Sequence, residues 1–109
     1  MSHSDATILD RLFAVIESRR TADPAASWTA QLLAGGPPAA ARKLGEESVE
    51  AIIAALAEDR EALAAESADL LYHLLVLWAA TGVAPADVWR ALEARQGTSG
   101  VAEKAAREK

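Results

Sequence analysis

Large apolar residues recur along this chain at steps of three and four, the repeat of a helix with one buried face. Ile8, Leu9, Leu12, Phe13 and Ile16 form one such stripe and predict a helix from about Asp5 to Arg20. Punctuation divides the remainder. Asp23-Pro24 marks a loop, Ser27 is placed to cap a short helix from Trp28 to Ala34, and Gly35-Gly36 stops it. Pro37-Pro38 suits the first turn of the next helix, where a missing N–H costs nothing, and that helix continues to about Ala57. Asp59 caps another helix that runs to Thr81 and ends at Gly82; Pro85 opens a last one to about Arg95, closed by Gly97. No segment alternates in the manner of a strand, and the expected fold class is all-α.

Only two or three residues around Glu58-Asp59-Arg60 join the two long central helices, which calls for an antiparallel hairpin. The run Leu70–Trp78 (LLYHLLVLW) is apolar nearly all round, as expected of a helix buried on several sides. One copy of the chain has few helices with which to cover it. The expected architecture is therefore a helical bundle built on the central hairpin and completed by homodimerisation, with these helices paired. Residues 1–109 read as a single domain, with 1–4 and 99–109 as its flexible ends.

Composition changes this picture in three ways. Hydrophobic residues are 51% of the 109, but 27 of them are alanine, so bulky core-formers are scarce. Cysteine is absent, which excludes disulfides, thiolate zinc sites and cysteine nucleophiles. A net charge of −5 argues against nucleic acid or an anionic membrane as partner. The N-terminus has no basic start followed by an apolar block, and the most apolar stretch, Ala68–Ala80, carries Asp69 and His73 and falls short of the roughly 20 residues a span needs. The expected location is cytoplasmic.

The candidate chemistry is acidic. Glu47 and Glu50 lie three apart on the first central helix, Glu66 and Asp69 three apart on the second, so each pair shares a helix face. Glu47 with Asp69, and Glu50 with Glu66, are symmetric about residue 58, where turn signals independently put the loop. Four carboxylates are thereby brought opposite one another between two facing helices. Four anions this close repel. Either they splay into water or they hold divalent cations, for which an all-oxygen donor set suits Mg²⁺ or Mn²⁺. Taken singly, ExxE and ExxD are common on solvated helix faces; the paired register is what distinguishes them here. Glu46 borders the shared face, to orient a ligand or simply to sit in solvent.

These residues resemble a known family. Lys43-x-Gly45-Glu46-Glu47-x-x-Glu50 followed by Glu66-x-x-Asp69-Leu70-Leu71-Tyr72-His73 is similar to the all-α nucleoside triphosphate pyrophosphatases, the MazG-like superfamily. The segment Ser27-Trp28-Thr29 and the tail Gly97–Arg107, with its Ser99-Gly100-x-x-Glu103-Lys104-Ala105-x-Arg107 pattern, narrow the resemblance to the phosphoribosyl-ATP pyrophosphatases of histidine biosynthesis. Trp28 stands where a tyrosine is commoner. The resemblance implies Mg²⁺-dependent hydrolysis of phosphoribosyl-ATP to phosphoribosyl-AMP and pyrophosphate. It implies metal ligands Glu47, Glu50, Glu66 and Asp69, with Glu46 as a further catalytic candidate.

A polyphosphate substrate also needs cations. Lys43 is the first candidate, four residues before Glu47, although that spacing equally suits a plain ion pair with Glu47. Arg19, Arg20, Arg42, Lys104 and Arg107 follow. Ser27 and Thr29 either cap a helix or touch the ligand. Trp28 stacks on a base or belongs to the core; Trp78 and Trp89 read as core or dimer contacts. His73 reads as a hydrogen-bonded core histidine. Two alternatives stand beside the histidine-pathway enzyme: a house-cleaning pyrophosphatase acting on other nucleotides, and a non-catalytic helical dimerisation module.

Overall fold

The computed structural model describes residues 5–97 together with Lys104 and Arg107, and among these residues there is helix and no strand. The order is α1 (Thr7–Ser18), a 3-10 turn (Arg19–Thr21), α2 (Trp28–Ala34), α3 (Gly36–Ala57), α4 (Arg60–Thr81) and α5 (Pro85–Gln96). The helix expected over Asp5–Arg20 is thus shorter and tightens at its end. Asp5 stays outside it, its Oδ1 accepting from the backbone N–H of Thr7 at 3.0 Å.

The other boundaries follow from local chemistry that the sequence displays. Ser27 Oγ accepts from Ala30 N at 3.1 Å, and Asp59 Oδ1 from Ala62 N at 2.8 Å, each satisfying one of the free amides of a helix start. α4 ends on Gly82 in the left-handed region, φ +82°, where a side chain would be strained. Gly36 turns the chain between α2 and α3 at φ +74°. The preceding Gly35 is required for space, because a Cβ there would lie 2.6 Å from that of Ala39.

α3 and α4 pack on each other more extensively than any other pair, and α4 also touches α1 and α2. Ile16 of α1, Leu32 of α2, Ala40 of α3 and Leu75, Val76 and Ala79 of α4 form the core. Of the apolar run Leu70–Trp78, His73, Leu75 and Val76 are buried, Leu71 is exposed and the others are partly covered. α3 behaves oppositely. Its buried residues are Ala40, Glu47, Ala51 and Ala54. Val49, Ile52, Ile53 and Leu56, on the opposite side by helical rotation, are exposed, Leu56 at 84%. By length and composition alone, the 22-residue α4 is apolar enough to cross a membrane, which the 13-residue run considered above is not.

Trp78 and Trp89 meet edge to face with ring centres 5.9 Å apart, and Trp89 Nε1 donates to Asp10 Oδ1 at 3.3 Å, tying α5 to α4 and α1. Arg20 pairs with Glu17 at 2.8 Å and donates to the Ala79 carbonyl, fixing the end of the first helical segment against the end of α4.

Candidate metal centre

Glu47 is the most buried acid on α3, 7% exposed, because it lies on the face formed by Ala40, Ala51 and Ala54. Those alanines present little bulk, so the facing helix can approach closely. Across the gap stand Glu66, half-buried, and Asp69, exposed at the rim. One carboxylate oxygen from each of Glu47, Glu66 and Asp69 lies within 4.8 Å of the others. Two acids from α4 and one from α3 thus converge.

Proximity of acids alone would prove little. The stronger observation is that Glu47 Oε2 and Glu66 Oε2 are both buried without a hydrogen-bond partner. A buried carboxylate oxygen left unpaired is costly, and native proteins satisfy such atoms or place an ion on them. The donor set is entirely oxygen, which fits a hard divalent cation such as Mg²⁺ or Mn²⁺ and does not fit a thiolate or imidazole metal.

Glu50 and Glu46 are exposed and stand outside the close-set three. Three residues along a helix turn it through about 300°, so Glu50 is rotated about 60° from Glu47 towards the rim. The level of Glu47 and Asp69 expected from the symmetry about residue 58 agrees with their convergence.

Lys43 Nζ stands 3.6 Å from Glu47 Oε1 and 3.8 Å from Glu46 Oε2, and 5.9 Å from the centre of the half-exposed Trp28 ring. Ser27 serves as the α2 cap. The Thr29 hydroxyl is hydrogen-bonded to that of Tyr72, which locks α2 to α4 three residues past Asp69. Tyr72 is not among the candidate site residues read from the sequence; its i, i+3 spacing from Asp69 and its place in the family motif are the signals that mark it. His73 Nδ1 donates to the Asp69 carbonyl at 2.7 Å and packs edge-on to Tyr72. The expected core histidine is therefore also bonded to the backbone of an acid of the cluster.

Arg20 is engaged by Glu17 and Ala79, away from these acids in the pairs it makes. Arg19 is exposed in the 3-10 turn, which packs against α2, and Arg42 is exposed on α3. Lys104 and Arg107 are helical and exposed; the rest of the tail motif after Gly97 lies outside the described residues. A cleft of about 260 Å³ lined by Phe13, Glu17, Arg20, Trp78, Gly82, Val83 and Ala84 includes none of the clustered acids.

The fold and this centre define a class: an all-helical protein with a carboxylate-only cluster set between two long helices. Comparison with known proteins narrows the class. The family described as phosphoribosyl-ATP pyrophosphohydrolase matches residues 9–96, and the chain belongs to that family. It is 60% identical over 101 residues to a phosphoribosyl-ATP pyrophosphatase of Cereibacter sphaeroides, covering 93% of this chain and 98% of the relative. To the protein of that name from Roseobacter denitrificans it is 62% identical over 99 residues, 91% and 94% of the two chains. To that of Azospirillum brasilense it is 55% identical over 102 residues, 94% and 92%.

Proposed function

We propose that this chain is a Mg²⁺-dependent phosphoribosyl-ATP pyrophosphohydrolase, converting phosphoribosyl-ATP to phosphoribosyl-AMP and pyrophosphate in histidine synthesis. The observation that carries the reading is the pair of buried, unpartnered oxygens of Glu47 and Glu66 beside Asp69, in a chain that shares 55–62% identity with proteins bearing that name.

Glu47, Glu66 and Asp69 would hold the ion, Mg²⁺ or in its place Mn²⁺, with Glu50 reaching it from the rim as the fourth ligand. When bound, such an ion neutralises phosphate charge, polarises phosphorus and acidifies water. The chain's own part is positioning and charge complementarity, which phosphoryl chemistry needs more than a protein nucleophile. Lys43 meets substrate phosphates, joined by Arg19, Lys104 and Arg107. Thr29 and Ser27 line the nucleotide's approach at the start of α2. The exposed ring of Trp28 offers an apolar face to a base. One of the acids, Glu46 included, accepts the proton of the attacking water.

The same reading takes α3 and α4 as an antiparallel hairpin in one cytoplasmic domain, residues 1–109. A second copy completes the bundle against the exposed Val49, Ile52, Ile53 and Leu56. The partner of this chain is a small molecule rather than nucleic acid or membrane, and its charge of −5 favours that choice.

Matched assays of phosphoribosyl-ATP, dUTP, dCTP and ATP with Mg²⁺ test the proposal. Preferential release of pyrophosphate from phosphoribosyl-ATP is expected. Comparable or better turnover of a free nucleotide would transfer the chain to the house-cleaning pyrophosphatases. Absence of both metal-dependent turnover and a metal-dependent melting temperature would leave a helical scaffold.

A further inference from the structure

Lys43 is placed too loosely for a settled ion pair. Its separations from Glu47 Oε1 and Glu46 Oε2, 3.6 and 3.8 Å, exceed the roughly 2.7–2.9 Å of a charge-assisted hydrogen bond. Its third attraction is to the face of Trp28 at 5.9 Å, near the outer limit of about 6 Å for a cation–π contact. The side chain is 32% exposed. Among the described residues, three weak attractions hold this cation and no strong one does.

Glu47 is where the competition lies. It is the buried acid of the cluster, it retains an oxygen without a partner, and Lys43 is its one ion-pair contact among the described residues. A dication carries twice the charge of the ammonium and binds carboxylate oxygens directly, whereas Lys43 acts on Glu47 from beyond hydrogen-bond length. Lys43 stands on Oε1 and the unpartnered oxygen is Oε2, but two cations on one carboxylate repel, so the dication weakens the hold of Glu47 on the ammonium.

We propose that Lys43 is a resident counter-ion of the acid cluster that a divalent cation displaces, and that the Trp28 ring is the surface on which the released ammonium rests. The proposal deepens the metal-centre reading and depends on it. Without metal, Lys43 tempers the repulsion among the acids. With metal, its charge is returned to the rim, held over an indole face next to Glu46, where a phosphate oxygen of an arriving nucleotide can take it up. Metal binding therefore prepares the cation that substrate needs, and the order of loading is metal before nucleotide.

The test needs no turnover. Mn²⁺ is titrated calorimetrically into the full chain without nucleotide, and Mg²⁺ is followed by tryptophan emission, the Trp28 part being the difference between wild type and Trp28→Phe. Lys43→Met is expected to bind Mn²⁺ about two- to fivefold more tightly than wild type, the size of a partly exposed ion pair, while Lys43→Arg stays near wild type. Mg²⁺ is expected to change Trp28 emission in wild type and not in Lys43→Met. Equal or weaker Mn²⁺ binding by a folded Lys43→Met overturns the proposal, as does Mg²⁺-insensitive Trp28 emission in wild type; the emission result decides alone should Lys43→Met fail to fold. Failure of every form to bind Mn²⁺ overturns the metal centre itself and the displacement with it.

Discussion

Asp69 and Glu50 separate two kinds of acid in this molecule. Asp69 belongs to the close-set three, and Asp69→Asn should abolish turnover, exceeding the roughly 10- to 100-fold loss typical of residues behind a ligand. Removing one of three crowded charges should also raise the melting temperature of the metal-free chain and shrink the rise that Mg²⁺ adds. Glu50→Gln should likewise remove turnover, but with no such gain in metal-free stability, since Glu50 is exposed and outside the close-set three. Parallel melting curves with and without Mg²⁺ check both. A third acid, Glu17, responds to pH instead. Its hydrogen bond from Arg20 holds its pKa below the usual glutamate value. A depressed carboxylate contributes stability above its unfolded pKa and loses it as pH falls through the folded one. Glu17→Gln should therefore cost a few tenths of a kcal/mol at pH 7, small because the pair is solvent-screened, and nothing once the pH is well below about 4. Urea titrations at pH 7 and pH 3 measure the difference. At this scale the convergence of Glu47 and Asp69 follows from counting along two helices, whereas the Thr29–Tyr72 bond depends on where α2 docks, which no local pattern displays.

Helix ends were the most legible elements, because caps are local chemistry. Ser27, Asp59 and Gly82 each mark a boundary through one residue's hydrogen-bonding or dihedral preference, and the structure uses all three so. The 3-10 turn at Arg19–Thr21 was not legible, since it answers to contact with α2 and to the hold of Ala79 on Arg20. Asp59 has a further consequence. With Glu58 it forms the whole connection between α3 and α4, and its cap marks where α4 begins. Asp59→Ala should lower stability by about 1 kcal/mol in urea denaturation. Mg²⁺ affinity measured on the folded fraction should stay close to wild type, because the packing of the two helices, and not the cap alone, sets their register.

For the molecule as a whole, apolar surface is distributed in an unusual way. The apolar run of α4 is covered in part within the chain, while α3 turns alanine inward and Val49, Ile52, Ile53 and Leu56 outward. A stripe at that spacing on solvent is the mark of a contact with another helix. The apolar excess of α4 is legible in the sequence, while the exposed stripe on α3 is not, because periodicity cannot tell which side of a helix its own chain will cover. Light scattering should find a dimer at micromolar concentration, and Leu56→Asp, the most exposed of the four, should shift it towards monomer while circular dichroism still reports helix.

The alanines on the inward side of α3 also limit how this protein can be improved. Ala40, Ala51 and Ala54 act as spacers, and anything bulkier would wedge α3 off α4 and pull Glu47 from its neighbours. The usual route to a hardier protein, filling the interior with larger side chains, is closed along this helix. Room for gain lies in the helix ends and the outer rim, so engineered thermotolerance and an intact acid centre are compatible only when the changes stay off that seam.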